Sequence, residues 1–191
     1  MKKNEYKKMF DFENQHFWFI GKKYFIKTLL DRYLPKKGLK ILDVGCGTGG
    51  LTSFLNNYGQ TVGIEKNKYA IKSARQRNLN IKLADAQKIP FSSNSFDLVT
   101  IFDVLYHKNV KNEERVILEA KRVLKKDGFL LIADSAFSFL KSQHDKILHG
   151  NKRFTISYLS NLLNKNGFNA LRSSYIFFLI FPFIFLKRKF F

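Results

Sequence analysis

Hydrophobic and polar positions in this chain follow two alternating periods. From His16 to Leu34, Phe17, Phe19 or Ile20, Phe25, Ile26, Leu29, Leu30 and Tyr33 recur at helical spacing, which predicts a helix ended by Pro35. "KILDV" at 40–44 is a short apolar run of the buried-strand type, followed by a glycine-rich turn and a helical pattern through "LTSFLNNYG", closed by Gly59. "TVGIE" is a second strand, and Asn67 supplies a cap for the helix "NKYAIKSARQRN". "IKLAD" and "FDLVTIFD" are the third and fourth strands. The helix "NEERVILEAKRVLKK" follows, with Ile117, Ala120, Val123 and Leu124 on one face, and "DG" stops it. "GFLLIAD" is a fifth strand. A polar loop leads to a helix from Thr155 to Gly167, and "FNALRSSYI" at 168–176 reads as a sixth strand.

Strands alternating with helices predict an α/β fold, with a parallel sheet covered on both faces. Ligands of such sheets bind at the carboxyl ends of the strands, where the strand order reverses. The 191 residues fit one domain. We divide it into a helical cap at 1–38, a cofactor-binding core at 39–135, an acceptor-side loop, helix and strand at 136–174, and an apolar-basic tail at 175–191.

Between the first strand and its helix stands "GCGTGG", 45–50. Gly45 and Gly47 let a ligand approach the backbone, and the helix that follows presents unpaired N–H groups. Gly45, Gly47 and Gly50 also satisfy the dinucleotide spacing, and Glu65, closing the second strand, suits a ribose in either case. Other acids separate the cofactors. Asp43, inside the first strand, would repel a pyrophosphate but suits a ligand bearing an amino group and a sulfonium. Asp85 ends the third strand, where a carboxylate can accept from an adenine amine.

"ILDVGCGTG", "GIE", "ADAQKIPFSSNSFDLVTIFDVLYH" and "EAKRVLKKDGFLLIAD" together resemble the successive motifs of a class I S-adenosylmethionine-dependent methyltransferase of the type 11-like group. The resemblance implies a Rossmann-like three-layer sandwich with a mostly parallel sheet of seven strands, or of six where the last one is lacking. It also implies S-adenosylmethionine as cofactor and S-adenosylhomocysteine as product. Carried over by residue, Asp43, Gly45, Cys46 and Gly47 surround the methionine half. Glu65 takes the ribose, and Lys66, Asp85 and Ala86 lie at the adenine. Phe102 and Asp103 border the sulfonium. The flanks, "ENQHFWFIGKKYFI" and "SFLKSQHDKILHGNKRFTISYLSNLLNKNGF", are similar to a subgroup associated with cell-envelope polysaccharide and lipid pathways. Lys22 and Lys23 stand where that subgroup usually has arginines. After His149 the run Gly150–Phe154 lacks a second His and a Tyr.

Methyl transfer from a sulfonium is an in-line displacement that chiefly needs alignment. A hydroxyl or amine acceptor also needs a base. The candidates are His107, just past the fourth strand, and the pair His144 and Asp145 in the loop after the fifth, with His149 weaker. Phe17 and Trp18 are candidates for a lid.

The formal charge is +19. Such a field draws anions, whether nucleic acid, anionic lipid or acidic substrates, although an AT-rich genome would also enrich lysine. A small-molecule or lipid-linked acceptor is the leading expectation. RNA is the second acceptor class, a non-catalytic cofactor-binding protein the third reading, and a nicotinamide oxidoreductase the fourth. Cys46 is the only cysteine and no metal-ligand spacing occurs, so no metal is expected. The start has no secretory signal, which points to the cytoplasm. "SYIFFLIFPFIFLKRKFF" is too short to span a bilayer and is broken by Pro182. Its apolar run and basic end suit an anionic membrane surface, so peripheral attachment at the inner face of the membrane is expected.

Overall fold

The computed structural model describes residues 3–34 and 38–190, with the side chains of 144, 184 and 187–190 left out. Two helices lead, α1 (Lys3–Phe12) and α2 (Phe17–Tyr33). The sheet units follow as β1 (Leu39–Val44), α3 (Gly50–Leu55), β2 (Gly59–Glu65), α4 (Lys68–Arg75), β3 (Asn80–Leu83), β4 (Phe96–Phe102), α5 (Glu113–Val123) and β5 (Leu124–Ala133). Beyond them lie a 3-10 turn (Ser138–Leu140), α6 (Gln143–Ile147), α7 (Ile156–Lys165), a second 3-10 turn (Phe178–Ile180) and α8 (Phe181–Phe190).

The strands form one parallel sheet in the order β3-β2-β1-β4-β5. The order reverses between β1 and β4, so the crevice for a ligand opens at the carboxyl ends of these two strands. Both are buried on both faces, which is why their sequences are apolar runs without alternation. Leu42 and Val44 join Val116, Ile117, Ala120 and Val123 of α5 on one face. Ile41 turns to the other face, beside Ile26 and Leu30 of α2 and Leu55 of α3. These faces make the three-layer sandwich.

The described sheet has five strands, which corrects the expected six to seven. Residues 168–176 are irregular chain outside the sheet, with bends at 171 and 176 and exposed from 169 to 175. Arg172, Ser173 and Ser174 stand in a row there, so no apolar face is available to pack on a helix layer. Gly59 opens β2 rather than closing α3. A Cβ there would lie 2.0 Å from the Leu39 carbonyl oxygen, so the two strands pair only around a glycine. Helix α5 ends at Val123, before the expected Lys126, because Leu124 already pairs with Phe96 of β4. Pro35, the expected stop of α2, lies outside the described residues, and the Leu34 N–H ends that helix on the Leu30 carbonyl at 2.9 Å.

Helix α1 has no counterpart among the predicted elements. It packs on α4, and Tyr6, Met9 and Phe12 face the crevice. Arg77, just past α4, fixes it there. This guanidinium donates to the Phe10 carbonyl at 3.2 Å and the Thr48 carbonyl at 3.1 Å, and lies 4.2 Å from the centre of the Phe10 ring.

Candidate active site

The turn after β1 is built by backbone geometry. Gly45 and Gly47 have φ of +70° and +55°, in the left-handed region that disfavours side chains. A Cβ on Gly45 would also meet Val104 Cγ2 at 2.4 Å. The Gly45 and Cys46 N–H groups donate to the Ile64 carbonyl at 2.8 and 3.1 Å, tying the turn to the end of β2. There Glu65 accepts from the Gly47 N–H at 3.0 Å with one oxygen, and from the Lys66 and Asn67 N–H groups at 2.8 Å with the other. One carboxylate thus fixes both the glycine turn and the start of α4.

Asp43 lies beneath the turn, fully buried. Its oxygens accept from the Thr52 and Thr100 hydroxyls at 2.7 and 2.8 Å. Burial raises its pKa to about 6, against the lowering by the two threonines. Burial likewise pushes the Cys46 thiol far up, so it is an inert part of the wall. Asp85 pairs with Lys66 and accepts from the Gln87 N–H at 2.9 Å. Burial alone would raise its pKa, but Lys66 and Gln87 outweigh that and hold it below the usual carboxylate range.

At the end of β4, Phe102 is buried and Asp103 adopts φ +53°. The Asp103 side chain pairs with Lys22, which continues the inward row of Ile26 and Leu30 on α2 by one turn. Asp134, after β5, was not singled out in the sequence. Its carboxylate accepts from the Leu105 N–H at 2.8 Å, the Tyr106 N–H at 3.3 Å and the Ser135 N–H at 2.8 Å. Burial and the nearby Asp103 raise its pKa to about 7. An acid closing the fifth strand was the available signal.

The glycine turn, Asp43, Glu65, Asp85 and the Phe102–Asp103 corner line one cavity of about 1380 Å³, larger than the roughly 300–1000 Å³ usual for one small ligand. Asp43, Gly45, Cys46, Gly47, Glu65, Lys66, Asp85, Ala86, Phe102 and Asp103 all border it. Tyr6 and Met9 roof the glycine turn from α1. Phe17, Trp18, His107, His149 and Arg153 form the far half. In the near half the two glycines keep the turn free of side chains.

The candidate bases divide. His107 accepts from the Asn109 N–H through Nδ1 at 3.1 Å, which leaves the proton of the neutral ring on Nε2. Burial, with His149 and Lys108 adding to it, lowers its pKa to about 4, so the ring is neutral at pH 7. His149 stands 5.8 Å away, ring centre to ring centre, its pKa also lowered by burial. Asp145 accepts from Arg153 Nε at 2.9 Å and from the Ser142 N–H at 2.8 Å, an arrangement that holds the wall together. The His144 side chain lies outside the described residues. No group of three or more His, Cys, Asp or Glu suited to a metal occurs among the described residues.

Residues 42–132 match the family model described as a methyltransferase domain. The chain is 34% identical over 122 residues to the ubiquinone/menaquinone biosynthesis C-methyltransferase UbiE of Shewanella halifaxensis, a match covering 58% of this chain and 46% of that protein. It is 31% identical over 138 residues to demethylmenaquinone methyltransferase of Staphylococcus aureus, covering 68% and 56%. The chain thus spans about half the length of the curated relatives it matches. A solved structure from Thermotoga maritima, described as an S-adenosylmethionine-dependent methyltransferase and possible histamine N-methyltransferase, superposes with TM-score 0.71 at 25% identity. That superposition covers 87% of this chain and 77% of the other.

Proposed function

Residues 42–132 are a methyltransferase domain of the class I, S-adenosylmethionine-dependent kind, and from that premise we propose that the protein methylates a small-molecule or lipid-linked acceptor. The observation that carries the reading is the single cavity in which the glycine turn, Glu65 and Asp85 share a wall with an aromatic and imidazole-lined half. When bound, the cofactor supplies an electrophilic methyl group and departs as the neutral thioether S-adenosylhomocysteine.

The chain's own residues hold and orient. Glu65 and Asp85 are placed to accept from ribose hydroxyls and an adenine amine. Asp43, beneath the turn, favours the cationic half of the ligand. Helix α1 covers the cofactor half and excludes water, which alignment of nucleophile and methyl carbon requires. On the acceptor side, neutral His107 offers a donor at Nε2, suited to orienting an acceptor oxygen. Phe17 and Trp18 offer flat apolar surface. The names of the two relatives place them in quinone synthesis, where the acceptor is a ring on a lipid tail. That chemistry supports the lipid-linked form of the proposal.

Calorimetric titration tests the cofactor: one saturable site for S-adenosylhomocysteine is expected, none for NAD, and a Glu65→Ala variant with affinity reduced by about ten-fold or more. Binding of NAD alone would overturn the reading. Transfer of a labelled methyl group into a lipid extract is the expected outcome for the acceptor. Label found in RNA would move the acceptor to nucleic acid.

A further inference from the structure

We propose that α8 and the 3-10 turn before it form a docking face for an anionic lipid bilayer, set beside the acceptor end of the cavity. The face goes beyond the methyl-transfer reading, because its binding is measured without turnover.

Helix α8 is apolar on two opposite sides. Phe181 and Phe185 turn inward, with Phe181 6.0 Å from the Phe137 ring and Phe185 6.1 Å from the Phe139 ring, centre to centre. Phe183 and Leu186 of α8 form an outward pair, 73% and 50% exposed, and Phe178 and Leu179 of the 3-10 turn before it extend the stripe, 75% and 85% exposed. A cluster of large exposed apolar side chains of this kind marks an interaction surface.

Charge complementarity identifies what covers it. The stripe runs directly into Lys187, Arg188 and Lys189, on a chain of net charge +19. Apolar side chains at the acyl boundary with basic residues at head-group level is the arrangement that binds anionic membranes. A protein partner with a matching apolar groove would not require the basic run. No described helix is long and apolar enough to cross a membrane, so the face lies on the surface.

The position gives the face its use. Phe177, at the start of this segment, stacks on Trp18 with ring centres 4.2 Å apart. Gly21 makes room for it, since a Cβ there would meet Phe177 Cε1 at 2.6 Å. Trp18 in turn lines the cavity. A bilayer seated on α8 therefore lies next to the wall past which a lipid-linked acceptor would enter.

The test is flotation of the full chain with vesicles of phosphatidylglycerol and phosphatidylcholine in equal parts, or of phosphatidylcholine alone, at low salt. Flotation only with the anionic vesicles is expected. Leu179→Glu/Phe183→Glu should lower the bound fraction by about ten-fold while S-adenosylhomocysteine affinity stays unchanged. Lys187→Glu/Arg188→Glu/Lys189→Glu, which leaves the stripe intact, should do the same. A wild-type chain that stays unbound overturns the proposal, as does a folded charge-reversal variant that still floats. So does a concentration-dependent dimer, dissolved by Leu179→Glu/Phe183→Glu, in a protein that ignores vesicles. Because binding of S-adenosylhomocysteine is read separately, failure here leaves the cofactor assignment standing.

Discussion

The Glu13 carboxylate meets the Arg77 guanidinium at 2.6 Å, joining the end of α1 to the end of α4 beside the glycine turn. The Glu13 side chain is buried and that of Arg77 partly so, and burial raises the Glu13 pKa while Arg77 opposes that rise. Removing one partner of such a pair leaves an uncompensated buried charge, at a cost of about 3–5 kcal/mol. Arg77→Met is therefore expected to undock α1. Hydrogen exchange should accelerate across residues 3–12, and S-adenosylhomocysteine affinity should fall by about ten-fold or more, since α1 supplies the roof. Glu13→Gln added to Arg77→Met should recover part of both. Unchanged exchange in α1 would show that the pair does not hold the roof.

Asp43 and Asp134 set a pH dependence of stability. Their folded pKa values, about 6 and about 7, lie above the unfolded carboxylate value, because burial disfavours the ionised form. Between pH 4 and 7 the unfolded chain gives up protons that the folded chain retains. Their contribution is therefore complete below pH 4 and is lost as pH rises through 6 to 7. Asp43→Asn removes one of the two groups and keeps the size of the side chain. Relative to wild type, the variant should gain roughly 1.4 kcal/mol between pH 5 and pH 8, the one pH unit still to be crossed below the folded pKa of about 6. Urea midpoints at the two pH values measure it, and parallel curves would show that Asp43 does not titrate in this window.

His107 is expected to act without titrating near neutrality. With a pKa near 4 and Nδ1 engaged by Asn109, it stays a neutral donor throughout the physiological range. kcat should then show no inflection from His107 between pH 5.5 and 8. His107→Gln, which retains an N–H donor, should keep more of the rate than His107→Ala by about ten-fold. An acid limb near pH 6.5 that vanishes in the Gln variant would make His107 a titrating base instead.

The near half of the cavity was legible in the sequence because backbone constraints write themselves into residue type. A strand-turn-helix that admits no side chain at two positions calls for Gly45 and Gly47, and acids at strand ends are visible by position alone. The far half was less so. Nothing local to Asp145 shows that Arg153 claims it, since the pair forms only when the loop folds back. Lys22 reads as a surface lysine until the helix row it shares with Ile26 and Leu30 is aligned with the end of β4. Helix α1 falls within the helical cap at 1–38, but its lysines mask its bounds, although Tyr6, Met9, Phe10 and Glu13 stand at i, i+3, i+4 and i+7. Residues 168–176 show the opposite error: strand-forming residues do not make a strand where no neighbouring face takes them up.

The cavity is roofed by α1, which precedes the sheet in the chain, and closed on its far side by His149 and Arg153, which follow the last strand. During synthesis the glycine turn and Glu65 leave the ribosome well before the second of these walls exists. A nascent chain halted after β5 would carry the cofactor residues without a finished pocket. The far half of the cavity is thus the last part of the site to be completed, after the half whose residues name its chemistry.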